Sequence, residues 1–375
     1  MKNKHAKFIL SAAILLLVPL LSGCSLSITS KGAKIIAAAD GGIFMSETKG
    51  ETWTQFSAVP TINGQVRTLG LEDVKDITVD PNDPETLYMA VEGKGLWMTS
   101  NIKNGWNRLE NFSDKDVNLV RVDPESKCTV YTLSDNQILK TTNCGRDFQQ
   151  IYQDDNPDTI LTTMAIDWYN SRNLYVGNSR GDILKSIDSG KSWRLIKELD
   201  SGASVANLII SPQDSRRIFV ASKQAEVFSF ISNTNTNPAN SAEVEANFAV
   251  NDWQDFNSVL NSLNLGRNYR DLVIANNGTL FFASKNSIAR SKDQGITWEK
   301  LNILTTTDAE TSINALAINQ DNPDEIYFVT NNTLFRSTDG GVSWNTKKLS
   351  TNRIGSKLLV NYQNPSIIYL GISKD

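Results

Sequence analysis

One eight-residue pattern recurs along the chain and leaves little choice of fold. Four copies align without gaps: Ser46-Glu-Thr-Lys-Gly-Glu-Thr-Trp53, Ser186-Ile-Asp-Ser-Gly-Lys-Ser-Trp193, Ser291-Lys-Asp-Gln-Gly-Ile-Thr-Trp298 and Ser337-Thr-Asp-Gly-Gly-Val-Ser-Trp344. Residues 141–148 and 99–106 are weaker copies, with Phe148 in place of Trp and Lys103 in place of Gly. A seventh is interrupted, because an insertion separates its Ser229 from its Trp253. Six of the eight tryptophans occupy the closing position. A period of about 46 residues marks small units that bury their apolar faces only by stacking on neighbours.

A Pro/Asn/Asp turn precedes each box from the second onward. It reads Val79-Asp-Pro-Asn-Asp-Pro-Glu-Thr-Leu-Tyr88, then recurs at 122–131, 166–175, 210–219, 274–281 in shortened form, and 318–327. Residues 360–369 form one more copy with no box after it. Each unit therefore reads as four short strands separated by regular turn signals, the pattern of an all-β chain. Four strands per unit, repeated about seven times, predict a single β-propeller with seven four-stranded blades. Rings of eight or six blades are the alternatives. Residues 34–56 supply late strands of a blade and residues 357–372 supply early ones, so the two ends complete one blade and remove the free sheet edges. One strand is surplus, since 35–39 and 367–372 read as the same strand of the unit.

The box has a physical logic as a clasp. Its Ser/Thr hydroxyl and Asp carboxylate accept backbone N–H groups in a tight turn. Its Gly supplies a positive φ, and its Trp buries a ring between hairpin and neighbour. The residues expected in this role are Ser46, Gly50, Trp53, Trp106, Gly145, Phe148, Ser186, Asp188, Gly190, Trp193, Ser291, Asp293, Gly295, Trp298, Ser337, Asp339, Gly341 and Trp344. None reads as a reactive centre. Thr48, Asn101 and Asn143 replace the Asp and weaken individual clasps.

With these residues in view, the chain resembles the Asp-box (BNR) repeat of sialidase-like propellers over about residues 34–375. The pairing of the box with D-P-x-x-P-x-x-L-Y turns is most similar to one subset. That subset includes the photosystem II assembly and stability factors, the sortilin-type receptors and the xyloglucan-hydrolysing propellers. A sialidase would require an early Phe/Tyr-Arg-Ile-Pro motif, which is absent. The xyloglucan hydrolases of this repeat type place their cleft between two propellers, whereas this sequence reads as one. The resemblance thus implies a noncatalytic protein-interaction or complex-assembly scaffold. The alternative is a carbohydrate-active enzyme or glycan-binding propeller.

The N-terminus reads as an export signal. Lys2, Lys4 and Lys7 form a basic start, and residues 8–21 are almost wholly apolar, a length short of the roughly 20 residues of a spanning helix. Leu21-Ser22-Gly23-Cys24 matches the lipobox of bacterial lipoproteins, with Cys24 the acylated first residue of the mature chain. The expected organisation is a signal peptide at 1–23, a short linker at 24–33 and the propeller at 34–375, with an insertion at about 232–252 in blade five. The expected address is the extracytoplasmic side of a membrane. Ser25 favours the outer membrane in a two-membrane envelope, and otherwise the outer face of the cytoplasmic membrane. His5, the only histidine, leaves with the signal. That excludes Ser-His-Asp and Cys-His catalysis and His-ligated metal sites, so neither metal nor cofactor is expected. A net charge of −4 and a pI near 5.3 give no footprint for nucleic acid. Export also places Cys128 and Cys144, on the same face of blade three, in an oxidising compartment suited to a disulfide.

A binding side is expected where inter-blade loops and second-to-third-strand turns converge on the central channel. Lys94, Arg180, Arg267, Tyr269 and Arg270 are the candidate partner contacts, with residues 266–271 the densest mix of Arg and Tyr. The carboxylate groups Glu72, Asp73 and Asp76, and Asp154, Asp155 and Asp158, lack EF-hand spacing and read as solvated turns.

Overall fold

The computed structural model describes residues 40–61, 67–112, 116–233, 245–303 and 312–374. Among them stand seven four-stranded antiparallel sheets, the blades of one propeller, and a two-stranded ribbon pairing Ala58–Val59 with Arg67–Thr68. Counted by their boxes, blades 2 to 7 run consecutively, and their innermost strands are Val74–Asp80, Leu119–Val122, Leu161–Ile166, Val205–Ile210, Tyr269–Ile274 and Ile313–Ile318. Blade 1 is built from both ends. Ile354–Val360 and Ile368–Ser373 are its first two strands, and Gly42–Ser46 and Thr54–Gln55 its last two. Phe44 pairs with Leu370 and Met45 with Tyr369, so Ile368–Ser373 takes the slot for which two segments competed in the sequence. The other contender, 35–39, lies outside the described residues, as do Cys24, the signal, the linker and residues 234–244 of the insertion.

The core is distributed between blades, as facing sheets require. Ile43, Met45, Val74, Ile77, Leu87, Met89 and Trp106 form one such cluster between blades 1 and 2. Tyr175, Ile183, Val205, Leu208 and Phe230 form another between blades 4 and 5.

The boxes close as hairpin clasps. In blade 4, the Ser186 hydroxyl accepts the Gly190 N–H at 2.9 Å, the Asp188 carboxylate accepts the Ser192 N–H at 2.9 Å, and the Trp193 indole donates to the Gly190 carbonyl at 3.1 Å. Blades 6 and 7 repeat the first two bonds with Ser291/Gly295 and Asp293/Thr297, and with Ser337/Gly341 and Asp339/Ser343. Consecutive residues take positive φ at the turn, 62° and 90° for Ser189 and Gly190. A Cβ at Gly190 would stand 2.4 Å from the Ile151 side chain, so the glycine is needed for space as well as for its backbone. Where Asp is missing, another oxygen serves: the Thr48 hydroxyl accepts from the Thr52 N–H and the Asn143 amide from the Asp147 N–H.

One further regularity joins box to box. The residue preceding the first box position is Lys140, Lys185, Arg290 or Arg336 in blades 3, 4, 6 and 7. Lys140 donates to the Ser189 carbonyl of the next box at 3.1 Å, and Arg290 to that of Gly340 at 3.0 Å. Lys185, fully buried, holds Ser232 Oγ and the carbonyls of Asn233 and Asn247, all three within the insertion. Burial pushes its ammonium down to about 7.

Candidate functional site

The first strands begin on the face that carries the inter-blade loops and the second-to-third-strand turns. Six of them break register near their start, at Lys75, Thr162, Ala206, Arg270, Asn314 and Ser356. A bulge adds one residue to the strand and re-aims side chains. The side chains here reach the following blade. Ser356 donates to the Val74 carbonyl at 3.1 Å, Arg270 reaches Ser312 Oγ at 3.1 Å, and Lys75 pairs with Asp116.

The residue after the bulge stitches innermost strands together. Asp76 accepts the Val120 N–H at 3.0 Å and the Arg121 guanidinium at 2.8 Å, with Lys357 at 3.6 Å from its other oxygen. Asn207 donates to the Leu272 carbonyl at 3.0 Å. Asp271 occupies the same position in blade 6, part of its side chain still accessible. Burial pushes its carboxyl up to about 6, opposed by the charge of Lys357 and assisted by that of Asp76. Asp76, Arg121, Asp271 and Lys357 thus form a mixed-charge collar around the axis.

The collar predicts a pH dependence. An acid whose folded-state pKa exceeds its unfolded value stabilises the fold below about 4, and that contribution is lost as pH rises through about 6. Asp271→Asn is therefore expected to raise stability at pH 7.5 by about 1–3 kcal/mol, and to change it little at pH 3.5. Denaturant melts at the two pH values measure this, and an equal effect at both would contradict the assignment.

The carboxylates of the boxes are of the opposite kind. The Ser343 hydroxyl, the Ser343 N–H and the Ser337 hydroxyl hold exposed Asp339 down to about 2. Burial would raise Asp188 and Asp293, but the Ser192 and Thr297 hydrogen bonds outweigh it and hold both low. Groups so held have no proton to give at neutral pH, which suits clasps and not acid catalysts.

The expected contact residues divide into two sets. Arg180 is clamped between Asp182 at 2.9 Å and Asp154 at 3.6 Å, and Lys94 stands 3.8 Å from Glu72. Tyr269 is half-buried against Phe282, ring centroids 6.2 Å apart, and serves packing more than contact. Arg267 and Arg270 are exposed, and neither has a carboxylate partner among the described residues. The solvated-turn expectation needs correction at two positions. Asp76 is 4% exposed and Asp154 6% exposed, each held by cations, while Asp155 and Asp158 are exposed as expected. Among the described residues no cluster of His, Cys, Asp and Glu is arranged to hold a metal.

Sequence reasoning missed the collar and the box-preceding cations. The cations had a legible signal in the repeated Lys/Arg-Ser/Thr pairs. The collar had none, because bulges are not written in the apolar alternation.

No family model matches the chain. A curated protein described as a probable oligoxyloglucan-reducing end-specific xyloglucanase, from Neosartorya fischeri, is 25% identical over 125 residues, which is 32% of this chain and 15% of that protein. The GH74 xyloglucanase from Xanthomonas campestris superposes with a TM-score of 0.62 at 12% identity, covering 81% of this chain and 52% of that one. YCF48 bound to D1 peptide superposes with a TM-score of 0.55 at 16% identity, covering 80% of this chain and 94% of that one. The chain spans about half the length of the GH74 enzyme and nearly all of YCF48. At these identities the likeness establishes the propeller fold.

Proposed function

We propose that the chain is a noncatalytic, lipid-anchored extracytoplasmic propeller that holds a protein partner on its loop face. The observation that carries this is the contrast within that face. Lys94, Arg180 and Arg353 are each placed beside carboxylates, while Arg267 and Arg270 present guanidinium groups to solvent without one among the described residues. Exposed arginines on a rigid scaffold suit bidentate capture of an acidic surface. A structural neighbour matched over nearly its full length, YCF48, is known with a bound peptide, which supports the same use of the fold. Asp40, where the described chain begins, stands on the loop face beside Arg353.

Two variants test the reading in one capture experiment from native membranes. Arg267→Ala with Arg270→Ala is expected to fold normally and to weaken capture at least about tenfold, or about 1.4 kcal/mol. Unchanged capture would move the binding face elsewhere. Cys24→Ala is expected to keep its leader and take up no labelled fatty acid, and normal processing would contradict the anchor.

The other reading, a glycan-active propeller, draws on the xyloglucanase match and on Asp271, a carboxyl that burial pushes up to about 6 on the same collar as Asp76. Turnover of a glycan panel that collapses in Asp271→Asn would favour it.

A further inference from the structure

A pocket of about 180 Å3 opens on the loop face between the second-to-third-strand turn of blade 5 and the segment entering blade 6. Its position follows from local chemistry. The short helix α1 (Asn257–Ser262) is pinned to blade 5 by the Asn257 side chain, which accepts the Val227 N–H at 2.7 Å, and by the Asp255 carboxylate, which accepts the Asn257 N–H. The chain then turns through Asn264 and Gly266, both at positive φ, before entering blade 6. Leu260, Leu265 and Phe282 form the buried walls and floor, and Asn261, Asn264 and Arg267 form the exposed rim.

The rim is basic although the chain is net acidic. Lys223 is exposed in the turn that supplies Ala225 to the pocket, and Lys300 reaches the Asn264 carbonyl at 3.5 Å. Glu226, the acid of the blade 5 turn, is half-buried and held to its own blade by the hydroxyls of Ser201 and Ser222. A drug-sized ligand fills about 300–1,000 Å3, so this pocket is too small for one. It has the size and lining for a single bulky apolar side chain.

We infer that the loop face docks an acidic peptide segment by one apolar anchor, a Leu- or Phe-sized side chain seated against Phe282, with neighbouring carboxylates on Arg267 and the surrounding lysines. The inference rests on the scaffold reading and names the chemistry of its partner. The anchor supplies specificity through burial, and the basic rim supplies attraction that salt weakens.

The test uses full-length protein in nanodiscs and two fluorescein-labelled acidic dodecapeptides identical except for a central Phe or Ala. The native protein is expected to bind the Phe peptide roughly tenfold or more tightly than the Ala peptide. Asn261→Trp, which places an indole over the pocket, should erase that preference, and Arg267→Glu should weaken both peptides. Both variants are compared with native protein by melting curves. Equal binding of the two peptides, or no binding of either up to millimolar concentration, would overturn the inference. So would binding of phosphatidylglycerol vesicles that is lost in Arg267→Glu while neither peptide binds, because the rim would then serve lipid. The two levels separate cleanly. A Phe preference with full capture by the double-alanine variant leaves the pocket standing and sinks the scaffold site, and the reverse pattern sinks the pocket alone.

Discussion

Trp106→Ala is expected to destabilise the propeller by about 4 kcal/mol, the largest effect of any single box substitution. Trp106 is fully buried, and its indole donates to the Phe56 carbonyl at 2.7 Å while its own N–H meets the Ala58 carbonyl at 2.8 Å. It therefore ties the second box to the chain segment linking blades 1 and 2, near the ring closure. Removing it leaves a cavity and an unpaired carbonyl together. Trp344 occupies the same box position in blade 7 but is only half-buried, with its indole turned to the Asn302 carbonyl. Its replacement should cost less than half as much. Urea titration of both variants measures the contrast, and equal losses would show that box tryptophans act alike regardless of burial.

The disulfide carries the second large effect. Cys128 and Cys144 are joined across a sequence separation of 16, and the Cys144 N–H also donates to the Cys128 carbonyl at 3.0 Å. Cys144 sits in the third box, where Asn143 and Phe148 replace the usual Asp and Trp. Phe148 packs edge-on to Phe112 with centroids 4.6 Å apart, and the covalent link holds the turn that the weaker clasp does not. Replacing both cysteines with serine should cost about 3 kcal/mol by the loop-entropy estimate. Thiol titration of denatured, unreduced protein should find neither residue reactive. Two reactive thiols from this pair would contradict the link.

Why the sequence showed the ring so clearly and the site so poorly follows from what each depends on. The blades rest on repeated local chemistry: a glycine that must take positive φ, a hydroxyl that must accept its N–H, an aromatic that must be covered. Those requirements recur at Ser186, Ser291 and Ser337 and leave an unmistakable period. The collar rests on positions brought together from blades 1, 2, 3 and 6, and nothing local distinguishes Asp271 from a surface aspartate. Arg180 and Arg267 read alike in sequence. Only the fold puts Asp154 and Asp182 beside the first and leaves the second facing solvent. Asp76 read as a solvated turn because a bulge at Lys75 re-aims it into the ring.

The central claim is that the loop face, not the box face, holds a protein partner. A photo-crosslinking residue placed at Asn268, exposed beside Arg267, and another at Lys191, exposed in the fourth box, would compare the two faces in native membranes. The account predicts a discrete protein adduct from the position at Asn268 that disappears with Arg267→Ala and Arg270→Ala, and none from the position at Lys191. Adducts from Lys191 alone would contradict it.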